Sequence, residues 1–472
     1  MIEHIKYSEP LYEESPITDV NELINIFSFK KDLMVLNSSM KMEGYGRYSF
    51  ICFDAFASFV SKGEKYYWNN EIVDISNPLD FINERINEYE IKKIDGIPPL
   101  QGGVVGYFGY EASHYLEELP QVIDNIQLPD IYLNFYSNVI SIDHASNQQW
   151  IIATGFPEKS ECKRMELARE NILEIKKIIA EHTHSVDILC KENIQKTISI
   201  SSNFTPKAYV KAVNHTKEYI LNGDIFEANI SQQFSATLAD NTSALDLYFN
   251  LMKTNPAPFS AFIKIHDNGY IISASPERFI KLTNQLIETC PIKGTRKRSA
   301  NIHEDKRLAD ELLSSEKDHA ENVMIVDLMR NDISRVCQPG TVNVDELCAL
   351  KSFETVHHLV SKVTGELKRN MNAIDIMNAT FPPGSVTGAP KIRSMEIISE
   401  LEMQARGPYC GSLGYISFTG DMDTSVIIRT YFINHNKLFF SAGGAIVLDS
   451  DPEEEYQESL TKAQALIKAL TL

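Results

Sequence analysis

Cysteine is sparse and unpaired in this 472-residue chain: seven residues, at 52, 162, 190, 290, 337, 348 and 410, odd in number and never in a CxxC pair. That pattern speaks against a disulfide framework and a zinc site, and the expectation is reduced structural thiols in a cytoplasmic protein. The first residues, MIEHIKYSEPLYEESP, have no basic start and no apolar run, so no secretory leader is expected there. No stretch approaches the roughly 18 consecutive apolar residues that span a bilayer. Positive charge is short as well. A formal charge of −19 argues against a general nucleic-acid binder, because phosphate contacts need concentrated Lys and Arg. An anionic small molecule stays possible, since a buried site can be locally basic within an acidic surface. Repeats and low-complexity tracts are missing. So is a nucleotide loop: the glycines at 103, 106 and 109 of GGVVGYFGYE miss the GxGxxG spacing and read as close backbone packing.

What is present is an ordinary globular balance, 43% hydrophobic and 23% charged, on a chain long enough for two or three domains or one composite domain. A polar helical stretch near 157–200 is the boundary candidate and divides the chain into regions 1–200 and 201–472. Ser202 or Asn203 is expected to cap the next helix, with Pro206 early in it. Residues 257–294 read as a meander, with turns at Asp267-Asn268-Gly269 and Thr283-Asn284-Gln285. One helix is expected from about Glu304 to Leu328, then strands over 410–418, 425–433 and 437–447, then a terminal helix from Pro452 to Leu470. Strands grouped with strands predict an α+β fold with two packed sheets.

Four constellations could carry chemistry. Lys293, in CPIKGTRKRS, is expected at a strand end with Gly294 allowing a sharp exit; burial, or the cations Arg296 and Arg298, would push it toward the neutral, nucleophilic amine. Alone, a lysine beside a turn is an ordinary solvated residue. Glu277, in SASPERF, lies in the same meander, where an antiparallel neighbour could bring its carboxylate beside Lys293 as an acid or base. Asp318 and Glu321 share one helix face, and Glu455, Glu458 and Lys462 share another beside the stripe Tyr456, Leu460, Ala463, Ile467 and Leu470. Carboxylates from two helices suit Mg²⁺, although the same spacing also describes ordinary surface acid. Finally, FPPGSVTGAPK is a glycine loop entering a helix whose N–H groups could receive a carboxylate, although Gly388 is not followed by the Lys-Ser/Thr of a phosphate loop. Arg429 is expected to alternate with Ile427 and Tyr431 on a strand face, and the glycines of SAGGAIV to mark close backbone approach.

In their order along the chain, PIKGTRKR, HAENVMIVDLMRNDISRV, VHHLVS, FPPGSVTGAPKIRSMEII, GPYCGSLGYISF, DTSVIIRT, SAGGAIV and EEEYQE resemble the chorismate-utilising enzymes. The likeness is densest over 204–465 and continues through GRYSFI and GGVVGYFGYE. It implies an anthranilate synthase component I-like fold: two antiparallel sheets, helices outside, and an active site in a deep cleft of region 201–472. Within the family, Lys in PIKGT is the form of the aminodeoxychorismate synthase branch, where the anthranilate and isochorismate branches carry Ala; NPAPFSAF points the same way. The resemblance therefore implies amination of chorismate on the route to para-aminobenzoate and folate, with Lys293 as covalent catalyst and Glu277 as general acid. It implies Mg²⁺ held by Glu321 and Glu458 with Asp318 and Glu455 nearby. Arg429, Tyr409, the Gly443-Gly444 backbone and Lys462 would hold the substrate carboxylates, and His358 and Thr387 would line the ring pocket. No glutaminase segment is recognisable, so ammonia is expected from a separate glutamine amidotransferase subunit. Relatives carry a tryptophan pocket, for which Ser38, Pro258, Phe259 and Ser260 are the candidates here. One position departs from the family: ammonia-using relatives carry Gln in GDIFQ, and this chain has Glu227. That carboxylate would hydrogen-bond near the C2 side of the pocket or activate water.

Overall fold

Segments such as GVVGYF, IYLNFY and FSAFIKI are rich in β-branched and aromatic residues that suit a pleated, buried surface, and each forms a strand. The computed structural model describes residues 8–40, 45–182, 198–265, 268–352 and 356–471. It contains two twelve-stranded sheets. The first runs from an edge strand at Leu11–Ser15 to one at Ile200–Ser202, and the second from Ile292–Lys297 to Glu71–Ile72. Each draws strands from both sides of residue 200. Met34–Asn37 pairs with Phe259–Ile265 in the first sheet, and Gly103–Phe108 with Ser412–Ser417 in the second, both antiparallel.

The sheets pack face to face. Val104, Phe135, Ile280 and Leu282 of the second sheet share one buried cluster with Phe50, Ile263 and Ile271 of the first. Helices Val20–Phe27, Glu161–His182, Ala244–Thr254 and Pro452–Ala469 lie on the outer side of the first sheet. Their Leu23, Ile172, Leu251 and Leu466 are buried with Phe234 and Phe440. The α+β expectation, with two packed antiparallel sheets and outer helices, is met. The glycines of GGVVGYFGYE pack as expected: a Cβ on Gly106 would lie 2.0 Å from the Tyr132 carbonyl oxygen of the neighbouring strand.

Several local expectations are corrected. The helix expected over 304–328 is two, Ile302–Ser314 and Glu316–Ser334, because Ser315 takes an extended conformation and its hydroxyl caps the second by accepting from Asp318 N–H. Thr205, rather than Ser202 or Asn203, caps Pro206–Leu221; Ser202 belongs to a strand, and the Asn203 side chain accepts from Gln233 N–H. The strand expected over 425–433 is broken at 427–429: Met422–Val426 belongs to the second sheet and Thr430–Asn434 to the first. Arg429 is therefore on no strand face, and its φ of +52° marks the corner. Gly294 does not end its strand either. It is a bulge between Lys293, opposite Leu359, and Thr295, opposite His358, and the strand continues to Lys297. The Thr283–Leu286 turn is as expected, with Asn284 and Gln285 both at positive φ. Of the other turn, Asp267 lies outside the described residues, and Asn268 has a φ of +64°.

The backbone contact at Gly106 gives a direct test. Gly106→Ala should lose about 3 kcal/mol in urea unfolding, since backbone must move to admit the methyl. Gly63→Ala, with a positive φ but nothing within 4 Å of the added Cβ, should lose only about 1 kcal/mol. Equal losses would contradict the close sheet packing.

Candidate active site between the sheets

The site lies where the two sheets exchange chain. Strand Gly269–Ser275 belongs to the first sheet and Arg278–Thr283 to the second, so Pro276-Glu277 is a crossing. The 427–429 corner is the return crossing beside it. The two are stitched together: Ala274 N–H donates to the Arg429 carbonyl at 3.2 Å, Val426 N–H to that of Glu277 at 3.0 Å, and the Ser275 hydroxyl to that of Val426 at 2.6 Å. Glu277 and Arg429 are thus held by backbone geometry and not by strand alternation.

Glu277 is 6% exposed. Burial pushes its carboxyl up to about 7, although Ser385, Lys293, the Ile292 N–H and Arg429 all favour the ionised form. Arg429 is half-buried; burial lowers the pKa of its guanidinium against the pull of Glu277, and it stays a cation. Lys293 projects from the edge strand of the second sheet and donates to Glu227 Oε1 of the first at 3.0 Å. Glu227 is fully buried, and its Oε2 has no hydrogen-bond partner. Burial alone would lower the Lys293 pKa, but Glu227, Glu321 and Glu277 outweigh it and raise the value. This corrects the expectation of a neutral amine. Arg296 and Arg298 do not supply the expected repulsion: the first pairs with Glu311 and Asp318, the second with Asp305.

The acidic helices converge only in part. Small residues let Pro452–Ala469 approach the strand Lys437–Ile446, and its buried side is Glu455, Ser459, Ala463, Leu466 and Ala469. The expected stripe is therefore rotated, with Tyr456, Leu460 and Ile467 only half-buried and Glu455 turned inward. A Cβ on Gly444 would lie 3.0 Å from Glu455 Oε2 and 3.5 Å from Glu458 Oε1, so the second glycine of SAGGAIV makes room for these carboxylates. The first makes room for backbone, its Cβ falling 2.1 Å from the Ile230 carbonyl oxygen. Lys317 Nζ stands between Glu455 at 3.6 Å and Glu321 at 4.0 Å. Lys462 pairs with Glu458 at 2.7 Å and donates to the Gly443 carbonyl at 2.9 Å. Asp318 is drawn aside by Arg296 at 3.3 Å.

Among the described residues no three His, Cys, Asp or Glu are already grouped to hold a metal ion. The donor chemistry nevertheless suits a hard cation. Burial pushes Glu321 up to about 7, with Glu227 and Asp318 adding to the rise, and Glu455 is raised by burial and by Glu458. These are all-oxygen donors, the kind Mg²⁺ takes, although Lys317 stands near Glu321 and Glu455 and Lys462 pairs with Glu458 and favours its ionised form.

Of the remaining candidates, His358 is buried and pushed down to about 4 by burial and by Arg429; its Nδ1 lies 2.8 Å from the Thr295 hydroxyl. Tyr409 is buried with its hydroxyl pKa well raised, and the Arg406 guanidinium lies 5.8 Å from its ring centroid. The Thr387 hydroxyl donates to the Pro383 and Gly384 carbonyls, bracing the glycine loop. Ser38, Pro258, Phe259 and Ser260 do gather, where two paired strands of the first sheet meet their loops: the Ser38 hydroxyl donates to the Tyr48 and Pro258 carbonyls, and Ser260 Oγ is 2.7 Å from Ser39 Oγ. Sequence reading missed Lys317, Ser385 and the buried Arg406–Glu402 pair. Arg406 also binds the Val386 and Asn229 carbonyls, tying the glycine loop to the Glu227 strand. Lys317 was visible as an i,i+4 partner of Glu321, but its reach to Glu455 was not.

Two packed sheets with a carboxylate-rich site at their crossings define the class, and the chain belongs to the chorismate binding enzyme family, which it matches over residues 36–468. It is 37% identical over 442 residues to aminodeoxychorismate synthase component 1 of Escherichia coli (strain K12), covering 93% of each. It is 36% identical over 475 residues to anthranilate synthase component 1 of Aquifex aeolicus (strain VF5), covering 98% of this chain and 94% of that one. The crystal structure of anthranilate synthase component I from Streptococcus pneumoniae TIGR4 aligns with a TM-score of 0.78 at 33% identity, over 89% of this chain and 92% of that chain. Overall identity does not separate the two names.

The pKa of Glu277 makes stability depend on pH with a definite sign. It is raised on folding from 4.5 to about 7, so its contribution is complete below 4.5 and is lost as pH rises through about 7. Glu277→Gln removes this titration. Relative to wild type, the variant should gain about 3 kcal/mol between pH 5 and pH 8.5, at ~1.4 kcal/mol per pKa unit. An unchanged difference across that range would contradict the assignment.

Proposed function

We propose that this chain aminates chorismate, as component I of an aminodeoxychorismate synthase, giving 4-amino-4-deoxychorismate for para-aminobenzoate and folate synthesis. The observation that carries this reading is Lys293: a buried lysine in the family's site, paired with Glu227 and in the field of Glu277 and Glu321. A lysine there becomes a nucleophile once its proton is removed.

In the proposed sequence, the Lys293 amine forms a bond to C2 of chorismate, the ring double bonds shift, and the C4–O bond breaks. Glu277, whose proton burial retains up to about pH 7, gives that proton to the departing hydroxyl, which leaves as water. Ammonia then bonds to C4, the C2–N bond breaks, and Lys293 recovers its electron pair. Arg429, Tyr409, Lys462 and the Gly443-Gly444 backbone orient the substrate carboxylates, and His358 and Thr387 bound the ring. Mg²⁺ would be held by Glu321 and Glu458, with Glu455 and Asp318 nearby, and would supply a hard positive charge for the ring carboxylate. Ammonia comes from a separate glutamine amidotransferase subunit in the cytoplasm. Tryptophan, where bound, belongs at Ser38, Pro258, Phe259 and Ser260. No helix among the described residues is long and apolar enough to cross a membrane.

The second reading is anthranilate synthase component I, a name borne by relatives of similar identity. Products separate the two. With chorismate, Mg²⁺ and ammonium salt, the purified chain should yield the 4-amino product with its enolpyruvyl group intact by liquid chromatography and mass spectrometry. Glutamine without the partner should yield none, and Lys293→Ala should lose amination by a factor of at least about 10³, a covalent catalyst's share. Fluorescent anthranilate with free pyruvate would overturn the proposal.

A further inference from the structure

The reaction above needs Lys293 as a neutral amine, yet the site surrounds it with acid. Glu227 faces it from the first sheet, Glu277 from the crossing, Glu321 from the Glu316–Ser334 helix and Glu458 from the terminal helix. Among the described residues Glu227 alone hydrogen-bonds it: its Oε1 accepts from Lys293 Nζ at 3.0 Å, while its Oε2 is buried with no donor. Glu227 is 0% exposed, and Lys293 is its partner across the gap between the sheets. A buried charge with one oxygen unsatisfied is costly, and moving the shared proton from nitrogen to oxygen neutralises both partners at once.

We propose that Glu227 is the base of this reaction, taking the Lys293 proton within the buried pair so that the lysine can attack. This rests on the aminating reading. The proton balance closes. The pair begins as ammonium and carboxylate and becomes amine and carboxylic acid. The amine nitrogen bonds to C2 as the C4 hydroxyl departs with the Glu277 proton. After ammonia adds to C4 and the C2–N bond breaks, Lys293 leaves as an amine and retrieves its proton from Glu227. The new C4 ammonium returns one to Glu277. The net change is chorismate plus ammonia to amine plus water. Because the reactive form of the pair holds as many protons as its resting form, the attack gains no rising pH limb from Lys293.

The test is single-turnover loss of chorismate absorbance with Mg²⁺ and without ammonia, followed from pH 6 to pH 9. Wild type should show one limb only, falling as Glu277 ionises above about 7. In Glu227→Gln the proton must go to solvent, and the profile should become a bell whose acid limb rises about tenfold per pH unit. Glu227→Asp keeps an acceptor and should restore the wild-type shape at a lower rate; it also serves if the glutamine variant fails to fold. A Glu227→Gln profile superimposable on wild type, or a rising limb in Glu227→Asp, overturns the role of Glu227. A parallel reaction with ammonia that yields no 4-amino product from wild type overturns instead the reading on which it rests.

Discussion

One ion pair joins the two sheets at the point where the chemistry is proposed. Lys293 belongs to the edge strand of one sheet and Glu227 to a strand of the other, and their side chains are only 10% and 0% exposed. A buried pair of this kind contributes little net stability, because desolvation cancels much of the attraction. Its importance is positional: it holds a lysine among the carboxylates Glu277, Glu321 and Glu458, which Arg429, Lys317 and Lys462 also face. Burial raises both Glu277 and Glu321 to about 7, and only at Glu321 do neighbouring carboxylates, Glu227 and Asp318, add to the rise. For the proposed dianionic substrate, the cations Arg429 and Lys317 would be joined by a hard metal ion, were one held by Glu321 and Glu458, in one electrostatic scheme.

The fold supplies this arrangement through two adjacent sheet crossings. A residue on a strand can only face up or down. Residues at Pro276-Glu277 and 427–429 escape that rule, and the carbonyl–amide bonds between the crossings fix them. Close backbone approach does the rest. Gly443 admits the neighbouring strand, Gly444 admits Glu455 and Glu458, and the bulge at Gly294 brings the Lys293 strand to the start of the Glu316–Ser334 helix, where an added Cβ would meet Asp318 at 3.1 Å.

The sequence made much of this legible. Composition and grouped strands led to α+β, ordered motifs led to the family, and the glycine pairs were read as close approach. Lys293, Glu277, Glu321 and Glu455 were found as separate local patterns. What escaped was set by contacts between distant segments. Arg429 looks like a strand residue because Ile427 and Tyr431 flank it with the right period; only the second sheet's claim on Val426 breaks the strand. The terminal helix could not reveal its rotation, because small Ser459 and Ala463 let it settle closer than its larger apolar residues suggest. The charge state of Lys293 was misjudged for the same reason: its nearest cations in sequence turn to Glu311, Asp318 and Asp305, and its nearest anion is 66 residues away.

The central claim is a covalent bond to Lys293, and peptide mapping tests it most directly. Wild-type protein mixed with chorismate and Mg²⁺ in the absence of ammonia is quenched, digested and read by mass spectrometry. The account predicts that the peptide containing Lys293 gains the mass of chorismate less one water, and that added ammonia discharges it as the 4-amino product. Efficient formation of that product with Lys293 unmodified throughout the time course would contradict it.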